Sequence, residues 1–171
     1  QEDDTQLGLA HFCEHMAFNG TKNFPKNELV GFLEKMGIRF GADLNAYTSF
    51  DETVYMLPVP LEDPSNLEKG LQVLEDWAHN CTYEPAEIDK ERGVVLEESR
   101  LGKGAWDRMF AQYRTQLFAG SKYASRLPIG KDEIIKNAKP ETIKRFYSTW
   151  YRPNLMAVIV VGDVDPAATL A

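Results

Sequence analysis

The apolar positions of the chain fall into helix-like segments of period near 3.6, separated by two stretches patterned differently. Leu7, Leu9, Ala10, Phe12, Met16 and Ala17 predict a helix from about Leu7 to Phe18, closed by Asn19-Gly20. Beyond a loop around Pro25, the positions Leu29, Val30, Phe32, Leu33 and Met36 predict an amphipathic helix from Asn27 to Met36, ending at Gly37. The stretch GADLNAYTSFDETVYMLPVP is rich in Tyr, Thr, Val and Phe. It predicts two strands joined by a short turn at Ser49-Phe50-Asp51-Glu52, the second ended by Pro58 and Pro60. Asp63-Pro64 opens a helix with Leu67, Leu71, Leu74, Trp77 and Ala78 on one face. Glu84-Pro85 opens another, through Ile88, Val94, Val95, Leu96 and Leu101, which Gly102 and Gly104 interrupt before Ala105 to Phe118 resumes it. Two short helices follow, Lys131 to Asn137 and Pro140 to Trp150. The apolar run from Leu155 to Val161, between Pro153 and Gly162, predicts a central strand. Helices outnumber strands without regular β-α alternation. The fold class this predicts is α+β, an antiparallel sheet packed against several helices.

Composition narrows the function classes. A chain of 171 residues with 43% hydrophobic and 26% charged residues makes one ordinary domain with a real core. Its net charge of -7 and lack of a basic run argue against nucleic acid as a partner. No apolar stretch approaches the roughly 18 residues of a membrane span. Two cysteines, Cys13 and Cys81, are too few for a disulfide framework. The start, QEDDT, has no initiator methionine, and the end, DPAATLA, reads as a helix that stops after one turn. Both ends are expected to be cut from something longer, so the lack of a signal peptide carries no information about compartment.

The chemistry concentrates in His11-Phe12-Cys13-Glu14-His15. Residues four apart share a helix face, so His11 and His15 can reach one metal ion, with Glu14 just beside that line. H-x-x-E-H is the zincin motif H-E-x-x-H reversed, the inverzincin arrangement. A lone histidine on an apolar helix is usually a satisfied core residue. Two of them with a carboxylate are costly to bury without a partner, and a metal removes that cost. A catalytic zinc takes three protein ligands and keeps a fourth position for water. For the third ligand His79 is one candidate, although its place at a helix end suits a surface or capping role better. Cys13 lies about 100° or more around the helix from either histidine and reads as a small buried hydrophobe. Glu91 and Glu98 are two turns apart and share a face, with Glu97 pointing away. That pattern suits one glutamate as ligand and the other as support for an imidazole N–H. It equally suits a solvated acidic stripe paired with Lys90, Arg92 and Arg100.

Four stretches in this order, GLAHFCEHMAFNGTKNFP, GADLNAYTSFDETVYMLPVP, EIDKERGVVLEESR and YRPNLMAVIVVGDVDP, resemble the insulinase/pitrilysin family of zinc metallopeptidases over nearly the whole chain. The resemblance implies an insulinase/pitrilysin-type domain, with residues 1–171 a single, truncated N-terminal catalytic domain of a larger enzyme. It implies one zinc per site held by His11, His15 and Glu98, with Glu14 as general base and Glu91 as the glutamate that orients a ligand. Cys13 stands where a leucine is more usual. Asn45, Ala46 and Thr48 match the edge strand that pairs with an extended substrate, which implies an endopeptidase acting on unfolded or short polypeptides. The homologous C-terminal half that completes the site in the family is missing, so the piece alone is expected to be weakly active or inactive. Its open sheet edge favours a homodimer. Bacterial members of the family often sit in the periplasm or cell envelope, and that is the expected location. Two rival readings stand beside this one. One is a noncatalytic scaffold or docking domain, as some subunits of the superfamily are. The other is a zinc amidohydrolase acting on small molecules, which has no use for the Asn45 strand.

Overall fold

A computed structural model describes residues 1–26, 28–39 and 45–170. Asn27 and residues 40–44, where the second helix and the first strand were expected to begin, lie outside the described residues. The first helix, α1 (Leu9–Met16), runs through the middle of the core. Leu9, Phe12, Cys13 and Met16 sit at helical spacing on its inner side. They pack with Tyr83, Ile88, Val95, Ile135, Ile143 and Phe146. Just past its end, Ala17 joins a second cluster with Leu29, Leu33, Ile38, Val73 and Trp77. Packing both clusters fixes α1 and leaves its polar face, with His11, Glu14 and His15, toward α4 and β1.

The start of α1 is held from outside. The Glu2 carboxylate accepts the N–H groups of Gly8 (3.1 Å) and Ala10 (2.8 Å), placing negative charge at the positive end of the helix. Burial nevertheless pushes the Glu2 carboxyl above the usual range, against the pull of those two N–H groups. Arg126 in turn donates to the Glu2 carbonyl and to Asp4. At Gly130, in the left-handed region at φ 75°, a Cβ would lie 2.3 Å from the Gly8 Cα, so only glycine permits this approach of two backbone segments.

Helix α2 (Glu28–Lys35) buries Leu29 and Leu33, and Gly37 at φ 85° turns the chain so that the Ile38 N–H reaches the Leu33 carbonyl. Strands β1 (Asn45–Thr48) and β2 (Thr53–Met56) form an antiparallel hairpin in which Asn45 faces Met56 and Thr48 faces Thr53. Among the described residues these are the only paired strands. Helix α3 (Ser65–His79) packs Trp77 under α1, with its indole N–H on the Ala17 carbonyl at 3.0 Å. Buried Asp76 accepts from Thr21 Oγ1, the Asn23 N–H, Asn23 Nδ2 and Asn80 Nδ2, and so ties the loop after α1 to the end of α3.

Helix α4 (Pro85–Leu101) starts with Pro85 in its first turn, where the missing N–H costs nothing. Gly102 to Gly104 break it from α5 (Ala105–Leu117), and Asp107 accepts the Gly104 N–H at 3.1 Å. Trp106, Phe110, Tyr113 and Leu117 leave an apolar face of α5 exposed. Helices α6 (Asp132–Asn137), α7 (Pro140–Trp150) and α8 (Pro166–Leu170) complete the chain, and α7 supplies Ile143 and Phe146 to the core.

The expected central strand from Leu155 to Val161 is not formed. A 3-10 turn covers Pro153–Leu155, and residues 156–161 carry no regular structure, with Val161 90% exposed. The apolar, β-branched composition is that of a strand, but a strand exists only through a neighbour that takes its N–H and C=O groups. No strand is paired with this segment among the described residues. No helix among them is long and apolar enough to cross a membrane.

Candidate metal centre

Three donor side chains converge between α1 and α4. His11 Nε2 and His15 Nε2 are 3.2 Å apart, and Glu98 Oε2 lies 3.6 Å from the first and 3.3 Å from the second. The imidazoles come from successive turns of α1 and the carboxylate from the last turn of α4, which packs against α1. Among the described residues His11, His15 and Glu98 form the single group of His, Cys, Asp or Glu with metal-holding geometry.

The support behind His15 decides what this cluster can hold. Glu91, two turns before Glu98 on α4, accepts from His15 Nδ1 at 2.7 Å. Glu91 Oε2 also accepts from Asn19 Nδ2 at 2.6 Å. Burial alone would raise the Glu91 carboxyl, but the hydrogen bonds from His15 and Asn19 outweigh it and hold it below the usual range. With its Nδ1 proton given to Glu91, neutral His15 turns a lone pair on Nε2 toward the Glu98 oxygen and toward His11 Nε2. Lone pairs about 3.3 Å apart repel unless a cation lies between them. A tetrahedral zinc with bonds of about 2.0–2.1 Å spaces its donors by nearly that distance. The residues present therefore fit zinc.

In the metal-free chain a proton competes for this place. Burial pulls the His15 pKa down, but the hydrogen bond and charge of Glu91, with Glu98 and Glu14, bring it above the ordinary histidine value. His11 goes the other way, lowered by burial and by neighbouring His15. Its Nδ1 is buried with no hydrogen-bond partner among the described residues.

Glu14 lies next to His15 but outside the donor set. Its carboxylate accepts from Thr48 Oγ1 at 2.5 Å. Burial raises the Glu14 carboxyl above the usual range, with the Thr48 bond working against it. Asn45 and Ala46 lie on β1, whose second edge carries no strand among the described residues.

The other sequence candidates stay apart. His79 is exposed at the end of α3, where it faces Glu75 at 3.7 Å. Cys13 is buried in the core, and burial pushes its thiol well above the usual range. Glu97 turns away to pair with Arg100 at 2.6 Å. For two residues the sequence reading missed the role they take at the site. Asn19 read only as a helix stop, and the hydroxyl of Thr48 reaches inward to Glu14 although the residue was matched as part of a substrate-facing strand.

Comparison with known proteins places this geometry. Residues 1–127 match the family model "Insulinase (Peptidase family M16)", and residues 137–171 match "Peptidase M16 inactive domain". The chain is 44% identical over 171 residues to a protein of Escherichia coli (strain K12) described as "Probable zinc protease PqqL", covering all of this chain and 18% of that protein. A crystal structure of the first half of the periplasmic protease PqqL from Escherichia coli superposes with a TM-score of 0.95 at 44% identity, covering 99% of this chain and 36% of that one. The ferredoxin protease FusC, solved in complex with Arabidopsis ferredoxin, superposes with a TM-score of 0.91 at 32% identity, covering 99% of this chain and 19% of that one. The chain thus spans about a fifth of the length of the whole proteins it matches, and over that span it belongs to the insulinase family of peptidases, family M16.

Proposed function

We propose that the chain is the metal-bearing N-terminal domain of a larger zinc metalloendopeptidase that hydrolyses unfolded or short polypeptides. The observation that carries this reading is the convergence of His11, His15 and Glu98, with Glu14 held beside them and not among them. His11 Nε2, His15 Nε2 and the Glu98 carboxylate would hold one zinc as its three protein ligands. Zinc held there supplies Lewis acidity, polarising a carbonyl and making water more acidic. Glu91 keeps the His15 proton on Nδ1, so that Nε2 is always the donor. Glu14, with its carboxyl raised by burial, takes the proton from the attacking water and returns it to the leaving amine.

The open edge of β1, at Asn45, Ala46 and Thr48, receives the substrate as an added strand. Its backbone hydrogen bonds depend little on side-chain identity. The likeness to the ferredoxin protease FusC, solved in complex with Arabidopsis ferredoxin, and to the probable zinc protease PqqL supports a polypeptide substrate over a small amide. The location given for PqqL supports the periplasm for the full-length protein. Residues 1–171 act as one domain, and a later homologous half completes the site, so the isolated piece binds metal and has little or no peptidase activity.

Glu14→Gln in the full-length protein is the test. The expected result is a fall in kcat/KM of about 10²–10⁴-fold, the usual weight of a general base, with zinc content unchanged. Undiminished proteolysis in that variant refutes Glu14 as the base and with it this mechanism.

A further inference from the structure

We propose that Thr48 is a positioning residue for the general base, fixing the Glu14 carboxylate in the rotamer from which it takes a proton; this rests on the reading of Glu14 given above. Ala46 and Thr48 occupy the half-buried face of β1, whereas Asn45 and Tyr47 face outward. The Thr48 hydroxyl is therefore directed at α1, not at a strand added beside β1. Its 2.5 Å bond to Glu14 Oε2 is the only hydrogen bond to that carboxylate among the described residues.

The direction of the bonds follows from proton counting. An ionised carboxylate only accepts, so the single hydroxyl proton of Thr48 goes to Glu14. Thr53 Oγ1, opposite Thr48 in the hairpin and 3.2 Å away, must then donate to Thr48. The result is a one-way relay, Thr53 to Thr48 to Glu14, in which each bond polarises the next. The hairpin is anchored where the relay needs it. The Ser49 N–H closes the turn on the Glu52 carbonyl at 2.8 Å, and Tyr123 donates to both Asp51 oxygens at 2.7 and 2.8 Å. A glutamate otherwise has rotamer freedom to lose before it can act in one geometry. Thr48 supplies that order in advance.

The test uses the full-length, zinc-loaded protein. Thr48→Val keeps the shape and removes the hydroxyl. The expected result is a fall in kcat of about 10–100-fold, with KM and zinc affinity within about twofold of the parent. Thr48→Ser, which restores the donor, is expected to bring kcat back to within about threefold, and Thr53→Val to lower it by about two- to fivefold. A rise in KM with unchanged kcat assigns Thr48 to substrate binding and overturns the proposal, as does failure of serine to rescue. Should Thr48→Val not fold, Thr48→Ala is judged by the same criteria. Glu14→Gln separates the two layers: an active variant overturns the base reading itself. An inactive one beside an indifferent Thr48→Val removes only the positioning role.

Discussion

Zinc affinity should depend on Glu91, a residue that never touches the metal. Glu91 accepts from His15 Nδ1 at 2.7 Å and from Asn19 Nδ2 at 2.6 Å. Glu91→Gln cannot keep both. With its oxygen on His15, its NH₂ group meets the Asn19 amide, donor against donor. Flipped, it faces His15 with a donor and drives the ring proton onto Nε2, where it blocks ligation. Either way a charge-assisted bond of about 1.5–3 kcal/mol is exchanged for a neutral one of about 0.5–1.5 kcal/mol. The difference of about 1.4 kcal/mol corresponds to about tenfold in zinc affinity. Glu91→Ala, which removes both bonds, should approach the upper end of the 10–100-fold losses seen when such partners are removed. Asn19→Ala, which leaves His15 its acceptor, should cost about threefold or less. The assay is competition for zinc against a chromogenic chelator, with thermal melts of the metal-free variants as the check on folding. Glu91→Ala binding zinc within about twofold of the parent would refute the tautomer argument.

Two further outcomes follow from the geometry. Asp76→Ala leaves four donors without their acceptor, one of them on buried Thr21, and should cost about 3–5 kcal/mol. That corresponds to a drop in Tm of about 10 °C by calorimetry, and a drop under about 2 °C would contradict the network's role. Zinc binding should weaken as pH falls, since a proton on His15 must leave first. The raised pKa of His15 places the onset above the ordinary histidine value of 6.5. For the metal-free fold the sign reverses. The stability that His15 contributes is fully present below its unfolded value and is lost as pH rises through its raised folded value. Zinc titrations and metal-free melts at pH 6, 7 and 8 check both, and a pH-independent zinc affinity would count against His15 as a ligand.

Sequence carried whatever depends on spacing along a single element. His11 and His15 share a face because a helix puts residues four apart together, and Glu91 and Glu98 do so over two turns. The hairpin was legible from its β-branched and aromatic residues around a polar turn. What the sequence did not reveal depends on distant partners. Asn19 reaches Glu91 across 72 residues, Thr48 reaches Glu14 across 34, and Thr21 reaches Asp76 across 55. No local pattern distinguishes a helix-stopping Asn from one that also steadies a carboxylate. The Leu155 to Val161 run failed for a related reason. Its composition says that it suits a sheet, but only the rest of the fold decides whether a neighbouring strand is there.

The three side chains proposed to hold zinc are sheltered unequally. His11 and His15 are 11% and 18% exposed, whereas Glu98 is 52% exposed at the end of α4, just before the glycine break. Solvent could reach a carboxylate oxygen of Glu98 without disturbing either ring. An ion held there would therefore be reached by solvent first on the Glu98 side. The rings, locked into the core by α1, would keep their places and receive the next ion unchanged.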